Sequence, residues 1–321
     1  MKKQTQREKN PFPYSDSNKR YYTFDYYLKH RFGEKCAKIS LDAGFTCPNK
    51  DGTLSHGGCI YCSGGSSGAQ CDGSLREQYR AGVAAVHRKW RCNKFIPYLQ
   101  ANTNTYAPVP YLRRVYGEAL SMPGAVMLAI ATRADCLPPE TVELLSETSK
   151  ELPLLVELGL QSAKDETAQL IGRGHSYEQF LEGYSRLRGA EGDISVCVHI
   201  INGLPGESRE DMLETARAVA ALHSDMVKIH LLHVLKDTAL AHMYEAGEYS
   251  PMTLEDYVEI TVSQLELLPP DTVIARITGD GMADELLAPM WSKRKTEVAN
   301  EVDKRLFLLN TCQGAKFFSI P

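Results

Sequence analysis

The chain has 321 residues, enough for one large α/β domain or two modest ones, and its 43% hydrophobic and 24% charged content excludes a disordered or fibrous protein. Its net charge of −4 excludes a chain that is basic throughout, and no apolar run approaches the roughly 20 residues needed to span a bilayer. The polar start lacks a secretory pattern, and nine unevenly placed cysteines suit reduced thiols with one specialised cluster, so a cytoplasmic location without membrane contact is expected.

In chain order, residues 1–37 form an arm rich in lysine, arginine and tyrosine, with Tyr14, Tyr21, Tyr22, Tyr26 and Tyr27 interleaved among the cations. Two readings stand for it: a surface that meets nucleic acid phosphates and stacks bases, or a solvated arm whose aromatics dock on the domain. Residues 38–235 alternate strand-like and helical runs. The strands are predicted at Lys38–Phe45, Phe95–Gln100, Ala125–Thr132, Leu154–Leu160, Ile194–Ile201 and Met226–Val234. Helices are predicted near Ser74–Trp90, Pro110–Leu120, Pro138–Lys150, Tyr177–Arg188 and Ser208–His223. Continuous apolar runs such as Val126–Ile130 favour a parallel sheet covered by helices. About six such units predict an α/β fold, a partial (β/α)6 barrel, with its chemistry on the loops leaving the C-terminal ends of the strands. Residues 236–321 read as a C-terminal extension packing on the barrel, with helices at Thr238–Glu245, Thr253–Leu267 and Lys293–Leu309 and a short strand near Thr272–Ile277.

The loop after the first strand reads LDAGFTCPNKDGTLSHGGCIYCSGGSSG. Eleven residues separate Cys47 from Cys59 and two separate Cys59 from Cys62. A CxxC pair shares its bite on a metal, and a long Gly-, Asn- and Asp-rich excursion can return to deliver the third thiolate. A structural zinc site would need a fourth ligand from His56, Cys36 or Cys71. An iron–sulfur cluster needs only the three, and leaves one iron open. Further along, a carboxylate at Glu157, inside the apolar run VELGL, is costly to bury without a partner. On the sixth strand Lys228 and His230 share one face, directed into the barrel as substrate contacts or proton donors. Asn102, Asn104, Tyr106, Arg133 and Asp135 follow the second and third strands and are candidates for a substrate pocket. GDGM at 279–282 lacks the rest of a dinucleotide fingerprint and is set aside.

With Tyr61 just before the last cysteine, this loop resembles the radical S-adenosylmethionine (radical SAM) superfamily. The usual gap between the first two cysteines is shorter. The eleven-residue gap is similar to that of the YhcC/YtqA group, relatives of the catalytic subunit of Elongator. YLQANTNTYAP at 98–108, IATRADCLP at 130–138, VELGLQS at 156–162, IGRGHS at 171–176, NGLPGE at 202–207, KIHLLHVLKDT at 228–238 and ITGDG at 277–281 extend the likeness over most of residues 20–310.

The resemblance implies a [4Fe-4S] cluster on Cys47, Cys59 and Cys62. The open iron would bind S-adenosyl-L-methionine, which is reductively cleaved to a 5′-deoxyadenosyl radical. It places Ser63, Gly64 and Gly65 against the methionine moiety and Tyr61 at the adenine. Glu157 and Gln161 would lie at the ribose or methionine, with Arg173 balancing charge nearby. Asn202, Ile200 and Leu204 belong to its adenine-contacting turn. The implied substrate is a tRNA wobble uridine, converted from the 5-carboxymethylaminomethyl to the 5-aminomethyl form, with a flavodoxin- or ferredoxin-type electron donor. Two other functions remain beside it: radical chemistry on a small metabolite or peptide, and a non-enzymatic zinc protein that binds RNA.

Overall fold

The computed structural model describes residues 10–63, 73–100, 102–279 and 284–318. Seven parallel strands pair in chain order: β1 (Cys36–Leu41), β2 (Lys94–Leu99), β3 (Leu128–Thr132), β4 (Leu154–Gln161), β5 (Ile194–Asn202), β6 (Met226–Leu231) and β7 (Val273–Arg276). Helices α2 (Leu75–His87), α3 (Val109–Leu120), α4 (Pro139–Ser149), α5 (Asp165–Leu170), α6 (Tyr177–Arg188) and α7 (Arg209–Ala221) form the crossovers. Three of them begin with a reciprocal cap in which serine and the residue three positions on satisfy each other's backbone: Ser74 with Glu77, Ser176 with Gln179, Ser208 with Asp211.

Strand alternation divides the apolar residues into two cores. Ile39, Leu41, Leu99, Ile130, Val156, Leu158 and Val198 face outward and pack on helix residues such as Leu112, Tyr116, Leu145 and Phe180. Cys36, Ile96, Tyr98, Leu155, Met226 and Val273 face inward, around Leu28. The sheet is curled. Three strand spacings put β1 about 14 Å from β4 in a flat sheet, farther than a lysine and a glutamate can bridge. Yet Lys38 on β1 and Lys228 on β6 both reach the carboxylate of Glu157 on β4.

The partial barrel is as expected, with one strand more: the strand expected near Thr272–Ile277 joins the main sheet beside β6. A crossover through α8 (Ala239–Glu245) and α9 (Leu254–Leu267) carries it there. The arm holds an element the sequence did not reveal, α1 (Phe24–Phe32), capped by the Thr23 side chain and stopped by Gly33 at φ 80°. Several of its aromatics dock on the barrel, Tyr21 in the outer core and Tyr22, Phe24 and Tyr27 against the inner one, while Tyr14 stacks on Tyr22 at 4.8 Å and Tyr26 on His30 at 3.8 Å within the arm. The closing helix α10 (Lys295–Leu308) packs on α9. Among the described residues no helix is long and apolar enough to cross a membrane.

Candidate metal centre and barrel interior

The cysteine loop lies on the C-terminal side of the sheet, held by its own backbone. Cys47 carbonyl accepts from the N–H of Lys50 and Asp51 at 2.8 and 3.1 Å, and Cys59 carbonyl accepts from Cys62 N–H at 2.8 Å. Lys50 Nζ donates to Ser63 carbonyl at 3.3 Å and to Asn102 Oδ1 at 3.2 Å. Burial pushes the Cys62 thiol up; Lys50 opposes this, while Cys59 and Cys47 are close enough to add to it. Thus three thiols of one loop sit within electrostatic reach of one another. Among the described residues no three His, Cys, Asp or Glu side chains converge on a single ion. Three thiolates from one loop are the donor set of a cluster with one open iron, whereas a closed zinc site needs a fourth ligand. Of the possible fourth zinc ligands, Cys36 is at the opposite end of β1, His56 is exposed, and Cys71 lies outside the described residues, as do Gly64 and Gly65.

Under the loop runs the segment 171–176, and Asn49 ties the two together. It is fully buried, its Nδ2 donates to the carbonyls of Gly172 and Arg173 at 2.9 and 2.8 Å, and it lies 3.7 Å from Cys59 Sγ. Ile60 N–H adds a bond to Ile171 carbonyl at 3.0 Å. Gly174, at φ 77°, has no room for a Cβ, which would fall 2.3 Å from Asn49 Oδ1. Arg173 sends its Nη2 to Gly159 carbonyl at 2.5 Å, beside the irregular pairing at Gly159 and Gln161. Gln161 takes φ 77°, and its amide lies with the Arg173 guanidinium over Gly159. Arg133 completes the platform, donating to Arg173 carbonyl at 2.9 Å and holding Asp135 through two bonds of 2.9 and 2.7 Å. Tyr61 is set against the Cys59 thiol and Arg173; burial, then Cys59, push its hydroxyl well above its ordinary value.

Inside the half-barrel the polar residues meet at Glu157, whose side chain is inaccessible. Lys38 and Lys228 pair with it, Lys228 at 2.5 Å; Tyr98 hydroxyl donates to it at 2.5 Å, and His199 Nε2 lies 3.0 Å away. Burial alone would raise the Glu157 carboxyl, but Lys228, Lys38 and His199 hold it well below the carboxylate range. Burial also lowers Lys228 to about 8, with Glu157 opposing, and lowers His199 to about 4. His230 stacks on His199 with ring centroids 5.4 Å apart, and burial keeps it neutral.

The predicted site residues therefore separate into groups. The structure brings Lys228 and His230 together with Glu157, and gathers Gln161, Arg173, Arg133 and Asp135 under the cysteine loop. Asn104 is fully buried and bonded to Ala131 carbonyl at 2.9 Å, within a turn. Asn102, at φ 59°, donates to Phe45 carbonyl at 2.8 Å. Tyr106 bonds Thr53 at 2.8 Å, and with Asp135, Pro48 and Leu54 it lines a groove of about 610 Å³ beside the loop rather than in the barrel. Asn202 spends both amide atoms on Gln264, at 2.8 and 2.7 Å. Ile200 turns to the outer core, because strand alternation sends its neighbour Ile201 instead to the cluster of Leu204 and Tyr61. Lys38, Tyr98, His199 and Asn49 were missed. Only the alternation of Lys38 within CAKISL could have hinted at its inward direction.

Comparison with known proteins gives this arrangement its family. The chain matches the radical SAM superfamily over residues 53–219 and the radical SAM C-terminal domain over residues 224–307. It is 45% identical to YtqA of Bacillus subtilis over 314 residues, 97% of each chain. The chain belongs to the radical SAM superfamily. Within the superfamily it falls in the YhcC/YtqA group, related to the catalytic subunit of Elongator. It is also similar to the tRNA uridine(34) acetyltransferase of Methanocaldococcus infernus, 31% identical over 159 residues, which is 48% of this chain and 29% of that protein. The solved structure of Methanocaldococcus infernus Elp3 with an N-terminal deletion shares the fold, with a TM-score of 0.63 at 20% identity over 87% of this chain and 64% of that one. The protein is a radical SAM enzyme, and its superfamily uses a [4Fe-4S] cluster and S-adenosylmethionine.

Proposed function

We propose that this radical SAM enzyme acts on the wobble uridine of tRNA, converting a 5-carboxymethylaminomethyl side chain to the aminomethyl form. The observation that carries the RNA reading is the likeness, through nearly half of the chain, to a tRNA uridine(34) acetyltransferase. In this reading Cys47, Cys59 and Cys62 hold the [4Fe-4S] cluster. When bound, the cluster and S-adenosylmethionine supply a 5′-deoxyadenosyl radical for hydrogen abstraction, using an electron from a flavodoxin- or ferredoxin-type donor.

The chain's own residues place and shield. Asn49 and the carbonyls of Gly172 and Arg173 fix the cysteine loop. Tyr61, Ile201 and Leu204 make an apolar flank that keeps water from one side of it. The polar interior around Glu157 receives the base. Nucleoside mass spectrometry of tRNA from a deletion strain tests the proposal: 5-carboxymethylaminomethyluridine should accumulate and its aminomethyl derivative disappear. An unchanged wobble profile would sink the RNA reading and leave a small metabolite or peptide as the substrate.

A further inference from the structure

Two lysines share one carboxylate in the barrel interior. Lys38 and Lys228 both pair with Glu157, and Lys228 Nζ also donates to Tyr98 hydroxyl at 3.3 Å. Among the described residues in direct contact here, two cations face a single anion. A surplus buried cation is costly unless an anion joins it. The three side chains are not equally hidden: Glu157 is inaccessible and Lys228 is 7% exposed, but Lys38 keeps 21%. Lys38 is therefore the member that an entering molecule can reach. His230 adds a second sign of a ligand, because its Nε2 is buried without a hydrogen-bond partner among the described residues.

We propose that Lys38 and Lys228 anchor a carboxylate carried by the substrate, with His230 donating a further hydrogen bond to it. This rests on the RNA reading, in which the carboxymethylaminomethyl side chain ends in such a group. Lys228, lowered to about 8, stays largely protonated near neutrality and so keeps the surplus charge. Lys38 and Lys228 sit three positions, or roughly 10 Å, below the C-terminal ends of their strands, with His230 one position from its strand end above them, a depth suited to an extruded base with an extended tail. The side chain carries an ammonium before and after the reaction, so the aminomethyl product has lost the carboxylate and is left with the cation alone. The same lysines that hold the substrate then repel the product, which gives the site both its selectivity and a means of release.

The test uses the reconstituted enzyme without reductant and two anticodon stem-loops, one bearing carboxymethylaminomethyluridine and one aminomethyluridine, with binding read by fluorescence anisotropy. The wild type should prefer the first by about tenfold or more, Lys38→Gln should bring the ratio near unity, and Lys38→Arg should retain most of it. Should Lys38→Gln fail to fold, the wild-type ratio and that of Lys38→Arg still decide. Equal wild-type binding of the two RNAs overturns the anchor and leaves the RNA reading standing. If neither RNA binds better than an unrelated stem-loop, the RNA reading fails, and titration with N-benzylglycine against benzylamine judges the anchor alone. Preference for N-benzylglycine that depends on Lys38 upholds it; no preference overturns it.

Discussion

Replacing Glu157 by glutamine leaves Lys38 and Lys228 facing each other with no anion between them, and breaking a buried ion pair in this way costs about 3–5 kcal/mol. Adding Lys228→Met removes one of the stranded cations, so urea unfolding of the double variant should recover part of that loss. At the cysteine loop, Cys59→Ser should abolish retention of iron and sulfide and the cleavage of S-adenosylmethionine. Cys312→Ser, beyond α10, should do neither; charge-transfer absorption after anaerobic reconstitution reads both. The cysteines were legible because their spacing is local, and Lys228 with His230 because alternation along one strand is local too. The partners of Glu157 were not, since Lys38, Tyr98 and His199 come from strands distant in sequence and meet only when the sheet curls.

Between residue and fold stands the segment 171–176, which carries the cysteine loop on three carbonyls. Gly174→Ala forces a Cβ to within 2.3 Å of Asn49 Oδ1 at a backbone angle that costs of order 1–3 kcal/mol for other residues. The variant should melt lower and hold less iron per chain than wild type, because Asn49 is the link to Cys59. Strands and long helices were legible in the apolar periodicity, in several cases to within a residue or two. Helix α1 was hidden by the charge and tyrosine content of the arm, and α5 by its six-residue length. The strand β7 was seen, but its place in the sheet depends on a crossover through α8 and α9 that periodicity does not reveal.

For the molecule as a whole, acid is the predicted weakness. Burial, with Arg173, Lys228 and Lys295 in turn as neighbouring charges, lowers His175, His199 and His233 to about 4. Unfolded histidines bind protons from about pH 6.5, so below that the unfolded chain holds more protons than the folded one. Their contribution to stability is fully present above pH 6.5 and is lost as the pH falls towards 4. Each histidine adds a slope of up to about 1.4 kcal/mol per pH unit, which denaturant midpoints across this window would measure. A midpoint that stays flat from pH 7 to pH 5 would contradict this account.

At the far edge of the sheet, Tyr22 carbonyl accepts from Ile274 N–H at 2.7 Å, so the arm lies along β7 like a cover strip. Gln313 fastens it: its N–H donates to Arg20 carbonyl at 2.9 Å, its Oε1 accepts from Tyr22 N–H at 2.8 Å, and its Nε2 donates to the carbonyls of Pro269 and Thr272 at 2.6 and 2.7 Å. An uncovered edge strand invites pairing with another chain. Loosening this single glutamine would therefore bare the edge of β7 and turn the sheet into a template for aggregation.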